Sequence, residues 1–238
     1  MLRHDAERGS VGEVTQGIAQ VLTYAVGVAI SPVPIIAIVL MLFTPRARVN
    51  ASAFAVGWAL ALAVVSGVAY VVADAGDAAT DPTASDSVSW AQIAFGVIFL
   101  LLAARAWRNR PERGAEPELP AWMAGIDGFT AVKAFGLAVL LVAVNPKNLL
   151  LSLGAGSSLA QLGVSTSQAV VSLLVFVVLA SATIAGPVIY YLVRGERAEK
   201  QLDAARGWLV LHNGAVMTVL FVLLGVDLIS KGLPSLWS

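Results

Sequence analysis

The sequence predicts an all-α integral membrane protein: six transmembrane helices forming two inverted-topology three-helix repeats, with proline breaking helices 1 and 4. Three observations carry this reading. Hydrophobic residues make up 58% of the 238-residue chain and charged residues 13%, against roughly a quarter charged in soluble domains. Mean hydropathy is +0.82, with apolar runs of membrane-spanning length. Two of these runs exceed the roughly 20 residues that a straight span needs, and each holds proline near its middle. Ten of the fifteen Lys and Arg residues fall in alternate loops.

Residues 1–15 form a polar tail of mixed charge. The apolar run that follows is too long for the core of a secretory signal and reads as a retained span. Expected spans are 16–43, 51–73, 88–104, 130–162, 168–193 and 208–231. The third ends in Arg105, Ala106, Trp107 and Arg108, an interfacial anchor of aromatic and basic residues. Splitting the fourth at Pro146 leaves pieces too short to cross alone, so it is one broken helix. Gly186 and Pro187 in the fifth predict a kink. Residues 105–129, rich in Pro, Glu and Arg, read as a cytoplasmic linker between a first half, 16–104, and a second, 130–238.

Loop charge sets orientation. Arg46 and Arg48, then Arg105, Arg108, Arg110 and Arg113, then Arg194, Arg197, Lys200 and Arg206 lie on one side. The other side holds Asp74, Asp77, Asp81 and Asp86 and only Arg3, Arg8 and Lys231 as bases. The positive-inside rule puts both termini away from the cytoplasm. Three spans per half then force the second half to enter from the opposite side, the arrangement of an inverted repeat. A shift of 114 residues carries Pro32 onto Pro146.

The breaks are the expected site, because paired interrupted helices mark transporter binding sites. Pro32 and Pro34 remove the amides that would bond the Val28 and Ile30 carbonyls, and Pro146 does the same for Val142. Ser31 and Asn145 are placed to cap the restarting helices, whose N-termini favour anions. Lys147 lies deep in an apolar run, where an ionised amine costs at least ~2.5 kcal/mol. It is expected to bind a sulfate, phosphate or carboxylate headgroup, with Ser31, Asn145 and Asn148 hydrogen-bonding the same group. The bland alternative has Lys147 snorkelling to an interface or neutralising an internal carboxylate. Asp227 reads first as a surface pair with Lys231 and second as a proton-coupling carboxylate. His212 reads first as an interhelical hydrogen-bonder and second as a proton shuttle. Asp74, Asp127 and Lys133 read as solvated ends or anchors. Gly57, Ala61 and Ala63 in span two, and Gly154 to Ser158 after the second break, allow close helix approach.

Several classes are excluded. The chain has no cysteine, so it has no disulfide or thiolate metal site. Histidine metal clusters and catalytic triads lack their residues, so neither an enzyme nor a cofactor is expected. Net charge is zero, which argues against nucleic acid as a partner.

Ile30-Ser31-Pro32-Val33-Pro34 leads through Leu42-Phe43-Thr44-Pro45-Arg46-Ala47-Arg48 to Phe54-Ala55-Val56-Gly57-Trp58. With Asn145-Pro146-Lys147-Asn148 and the segment from Gly225 to Gly232, this pattern resembles the GAP/Sap family. Those are the glycopeptidolipid- and sulfolipid-addressing proteins of the LysE exporter superfamily. The resemblance covers nearly all of the membrane portion. It implies a six-helix exporter of the bacterial plasma (inner) membrane that moves an envelope glycolipid or lipid-linked anionic substrate by alternating access. The implied partners are membrane lipids and that anionic amphiphile, with homo-oligomer formation left open. Amino-acid exporters of the superfamily carry Pro-Gly-Pro where this chain has Pro32-Val33-Pro34, which argues against amino-acid export. Two alternatives stand: a small-solute exporter, and a non-transporting scaffold for a lipid-export machine.

Overall fold

Proline decides where two of the membrane helices stop and restart. In the computed structural model, which describes residues 2–77, 84–109, 125–126 and 128–233, the secondary structure is helical. Helices α1 (Leu2–Ala29) and α2 (Pro32–Leu42) replace a straight first span, and α5 (Ala131–Ala143) and α6 (Pro146–Gln161) replace the fourth. The first pair is bent by 58° and the second by 70°. Between and after them run α3 (Ala47–Asp77), α4 (Ala84–Arg108), α7 (Thr166–Arg194) and α8 (Glu199–Gly232).

Helices α3, α7 and α8 are each long and apolar enough to cross a membrane, and counting each bent pair as one span makes five. The expected third run, 88–104, is helical within α4. The expected polar tail is continuous with the first span, since α1 starts at Leu2. Pro187 lies inside α7, which the backbone carries through as one helix. Most of the expected linker, residues 110–124 with Asp127, lies outside the described residues, as do Asp81 and the side chains of Asp77, Asp86 and Lys231.

The chain divides into two units, each drawing on both sides of the linker. One comprises residues 1–78 and 121–203, the other 79–120 and 204–238. In the first unit α3 runs along α5 and α6, while α7 runs along α1 and α2, and α1 also meets α6. α3 and α7 thus each pack chiefly on the broken helix of the opposite half.

Burial follows helical periodicity. On α7 the buried residues Gln168, Ser172, Phe176, Ala180, Ile184 and Val188 recur every fourth position. On α3 the exposed Val56, Leu60, Val64 and Val68 form the complementary ridge, facing outward. An apolar exterior around an interior holding Lys147, Asn148 and Ser152 suits a chain solvated by lipid.

Small residues set the closest approaches. A Cβ at Gly156 of α6 would overlap the Ser66 carbonyl of α3 and lie 2.8 Å from the Tyr70 amide nitrogen. A Cβ at Gly57 of α3 would lie 2.8 Å from the Phe135 carbonyl of α5. Within the second unit, Gly96 and Gly225 bring α4 and α8 together, beside the Phe99–Phe221 ring contact at 5.7 Å.

Backbone atoms cannot swing aside as side chains can, so Gly156→Ala is expected to lower stability by about 1–3 kcal/mol through overpacking. Gly67 of α3 has open space at its Cβ position; Gly67→Ala is expected to raise stability by roughly 0.5–1 kcal/mol through helix propensity. Thermal unfolding in mild detergent measures both. A neutral Gly156→Ala would mean that α3 and α6 do not meet this closely.

Candidate functional site

Both breaks start from the same local constraint. A proline ring drives the residue before it out of the helical region, and Ser31 (φ −122°, ψ 93°) and Asn145 (φ −71°, ψ 114°) are both extended. Each is the N-cap of the helix that restarts. At α6 the expected cap forms, with Asn145 Oδ1 accepting from the Lys147 amide at 3.1 Å.

The expected Ser31 cap at α2 does not form. Pro32 and Pro34 take the first and third helical positions, so Val33 carries the only amide N–H among the first three. The Ser31 hydroxyl instead donates across the molecule to Asn148 Oδ1 at 3.0 Å. An N-terminus stripped of its donors in this way is a poor anion site by itself, which corrects the expectation for α2.

The freed carbonyls at the end of α1 find partners on two other helices. The Ser31 amide turns to the Ala29 carbonyl at 3.0 Å, so Gly27 loses its usual donor, and Pro34 has none to give Ile30. Lys147 Nζ fills both vacancies, donating to Gly27 O at 2.6 Å and Ile30 O at 3.1 Å. Thr183 Oγ1 of α7 donates to Ala29 O at 2.7 Å. Lys147 is 1% exposed, so it does not snorkel. Its counter-charge is the negative end of the α1 dipole. Two of its three N–H donors are engaged in this way.

The second break is closed from within its own pair. Because Asn145 is extended, the Leu141 carbonyl loses its helical donor, and Asn148 Nδ2 donates to it at 2.9 Å. Asn148 therefore accepts from one break and donates to the other. Ser31, Asn145, Lys147 and Asn148 are brought together as one polar joint between α1–α2 and α5–α6. Pro32 and Pro34 are buried and Pro146 is exposed.

The remaining candidates lie elsewhere. His212 is exposed on α8, its Nδ1 2.8 Å from the Trp208 carbonyl and its ring stacked on Trp208 at 4.6 Å. That contact lies within one helix rather than between helices. Asp227 is half-buried on α8; Lys133 and Asp74 are exposed. The bonds at the breaks involve none of them.

Two participants were missed by the sequence reading. Thr183 had no flag, since hydroxyls in apolar helices usually bond their own backbone, as Ser66, Ser152 and Thr218 do. Asn50 is fully buried on α3 and donates to the Phe129 carbonyl at 2.9 Å, fixing the turn that leads into α5.

Comparison with known proteins agrees with the resemblance seen in the motifs. Residues 21–234 match the model of the family described as Sap, sulfolipid-1-addressing protein. No curated protein and no solved structure matches the chain.

Ser31→Ala removes one interhelical hydrogen bond and is expected to cost about 0.6–1.7 kcal/mol. Asn148→Leu strands both the Leu141 carbonyl and the Ser31 hydroxyl, and is expected to cost about 2 kcal/mol or more. Detergent unfolding compares the two. Equal costs would mean that Asn148 does not bridge the breaks.

Proposed function

The chain belongs to the Sap (sulfolipid-1-addressing protein) family, and from that membership we propose that it exports an envelope lipid with an anionic headgroup. The observation that carries this reading is the joint itself: one buried lysine amine at the meeting point of two broken helices. An ionised amine in an apolar interior is costly unless it serves a pathway or a partner. Lys147 would pair with the sulfate, phosphate or carboxylate of the headgroup, as Ser31, Asn145 and Asn148 supply hydrogen bonds. Pro32, Pro34 and Pro146 keep the backbone from closing into continuous helix there. The acyl chains would follow the apolar outer faces into the bilayer.

Alternating access is supported by the exchanged packing, in which α3 lies on α5 and α6 and α7 on α1 and α2. This reciprocity is what two inverted repeats related by a pseudo-two-fold axis would produce. With α4 as third span and α8 as sixth, each half has three crossings. The charged loops support a bacterial plasma-membrane orientation with both termini outside the cytoplasm.

Proteoliposomes carrying fluorescently labelled 3-sulfogalactosylceramide, or its uncharged match galactosylceramide, test the reading. The sulfated lipid is expected to change leaflets faster than the uncharged one. Lys147→Met is expected to slow it about 10- to 100-fold, the equivalent of one charge-assisted hydrogen bond. A normal rate in Lys147→Met would remove Lys147 from the site. Movement of amino acids in place of lipid would favour the small-solute exporter, and movement of neither would favour the scaffold.

A further inference from the structure

We propose that Lys147 is a latch as well as a headgroup ligand: capture of an anionic headgroup by its ammonium releases the end of α1 from α6. The inference rests on the headgroup role of Lys147 and extends it to the control of movement. Its basis is that one ammonium is asked to do both jobs. The Gly27 and Ile30 carbonyls have lost their helical donors, and Lys147 Nζ is what reaches them, from 120 and 117 residues away in sequence. A sulfate or phosphate oxygen carries formal charge, whereas a carbonyl presents only a dipole. In a medium of low dielectric the anion therefore outcompetes the carbonyls for the same N–H groups.

Thr183 determines the direction of the release. It holds the neighbouring Ala29 carbonyl from α7 through a neutral hydroxyl, which an anion does not capture with comparable strength. α1 packs along both α6 and α7. When Lys147 turns to a headgroup, the joint between α1 and α6 loosens while the joint between α1 and α7 stays. Thr183 is thus a positioning residue at the pivot, and the Ser31 hydroxyl, which turns to the headgroup as Lys147 does, re-forms its bond to Asn148 on return. Substrate binding and gate opening become one event, so an empty carrier stays shut.

The native chain has no cysteine, so spin labels can be attached at introduced positions. Val26 of α1, Leu153 of α6 and Leu179 of α7 have exposed side chains. Electron–electron distances for the pairs 26–153 and 26–179 are measured in phosphatidylcholine nanodiscs containing 3-sulfogalactosylceramide or galactosylceramide. Binding is measured separately, as sulfated lipid retained by the purified protein. The sulfated lipid alone is expected to create a new 26–153 distance population and leave 26–179 unchanged. Lys147→Met is expected to show that new population without ligand and to ignore the lipid. Lys147→Arg is expected to keep the resting distance, and Thr183→Val to keep the 26–153 response but to let the 26–179 distance change with it. If the protein retains the sulfated lipid but 26–153 does not change, the latch is wrong and the headgroup role stands. If it retains none, the headgroup role falls and the latch with it. The wild-type comparison decides the matter even if Lys147→Met fails to fold.

Discussion

In lipid no bulk water stands ready to satisfy a broken helix, so a carbonyl that proline frees needs a donor from the protein or from a water-lined cavity. The rest of this structure depends on how that constraint is met. Proline leaves acceptors at the ends of α1 and α5; those of α1 are reached by Lys147 from the opposite break, and the Leu141 carbonyl of α5 by Asn148 of its own bent pair. Lys147 of α6 serves α1, Ser31 between α1 and α2 serves Asn148, and Asn148 serves α5. The α1–α2 pair is not complete alone. The defect in one helix specifies where the other must lie.

This dependence explains why a lysine is tolerated here at all. Buried charge is costly when unpaired, and an apolar substitute would be easier to bury. The end of a helix offers carbonyls with a negative partial charge, a partner that adds no carboxylate to the interior. In the proposed role this arrangement keeps the site's charge uncommitted to any fixed anion, so that an anionic headgroup meets an ammonium and not an existing ion pair. The close α3–α6 contact at Gly156 keeps α6 tightly fitted beyond the joint.

Much of this was legible in the sequence because the relevant physics is local. A proline acts on its own turn, so Ser31-Pro32 and Asn145-Pro146 marked the breaks, and Asn145 was recognisable as a cap. Hydropathy located each helical run, although the polar start of α1 could not be told from a tail. What could not be read is non-local. Nothing in the residues around Lys147 shows that its partners are backbone carbonyls some 120 positions away. The Ser31 cap failed for a reason visible only in three dimensions: Asn148 competes for the hydroxyl, and Pro34 has removed a donor the cap would have used. Thr183 and Thr218 look alike in sequence, yet one bonds across to α1 and the other to its own helix.

The central claim is that Lys147 substitutes for amides that proline took away. A double-mutant cycle tests it directly. Pro32→Ala/Pro34→Ala restores the amides that can bond the Val28 and Ile30 carbonyls and frees Ser31 to adopt helical geometry, so that its own amide can return to Gly27. Unfolding of Lys147→Met is measured in the native and in this restored background. The loss of Lys147 is predicted to cost less when the amides are back, with a coupling of about 0.5–3 kcal/mol, the range for groups in direct contact. Equal cost in both backgrounds would contradict the account, because the lysine would then be doing something other than completing the broken helix.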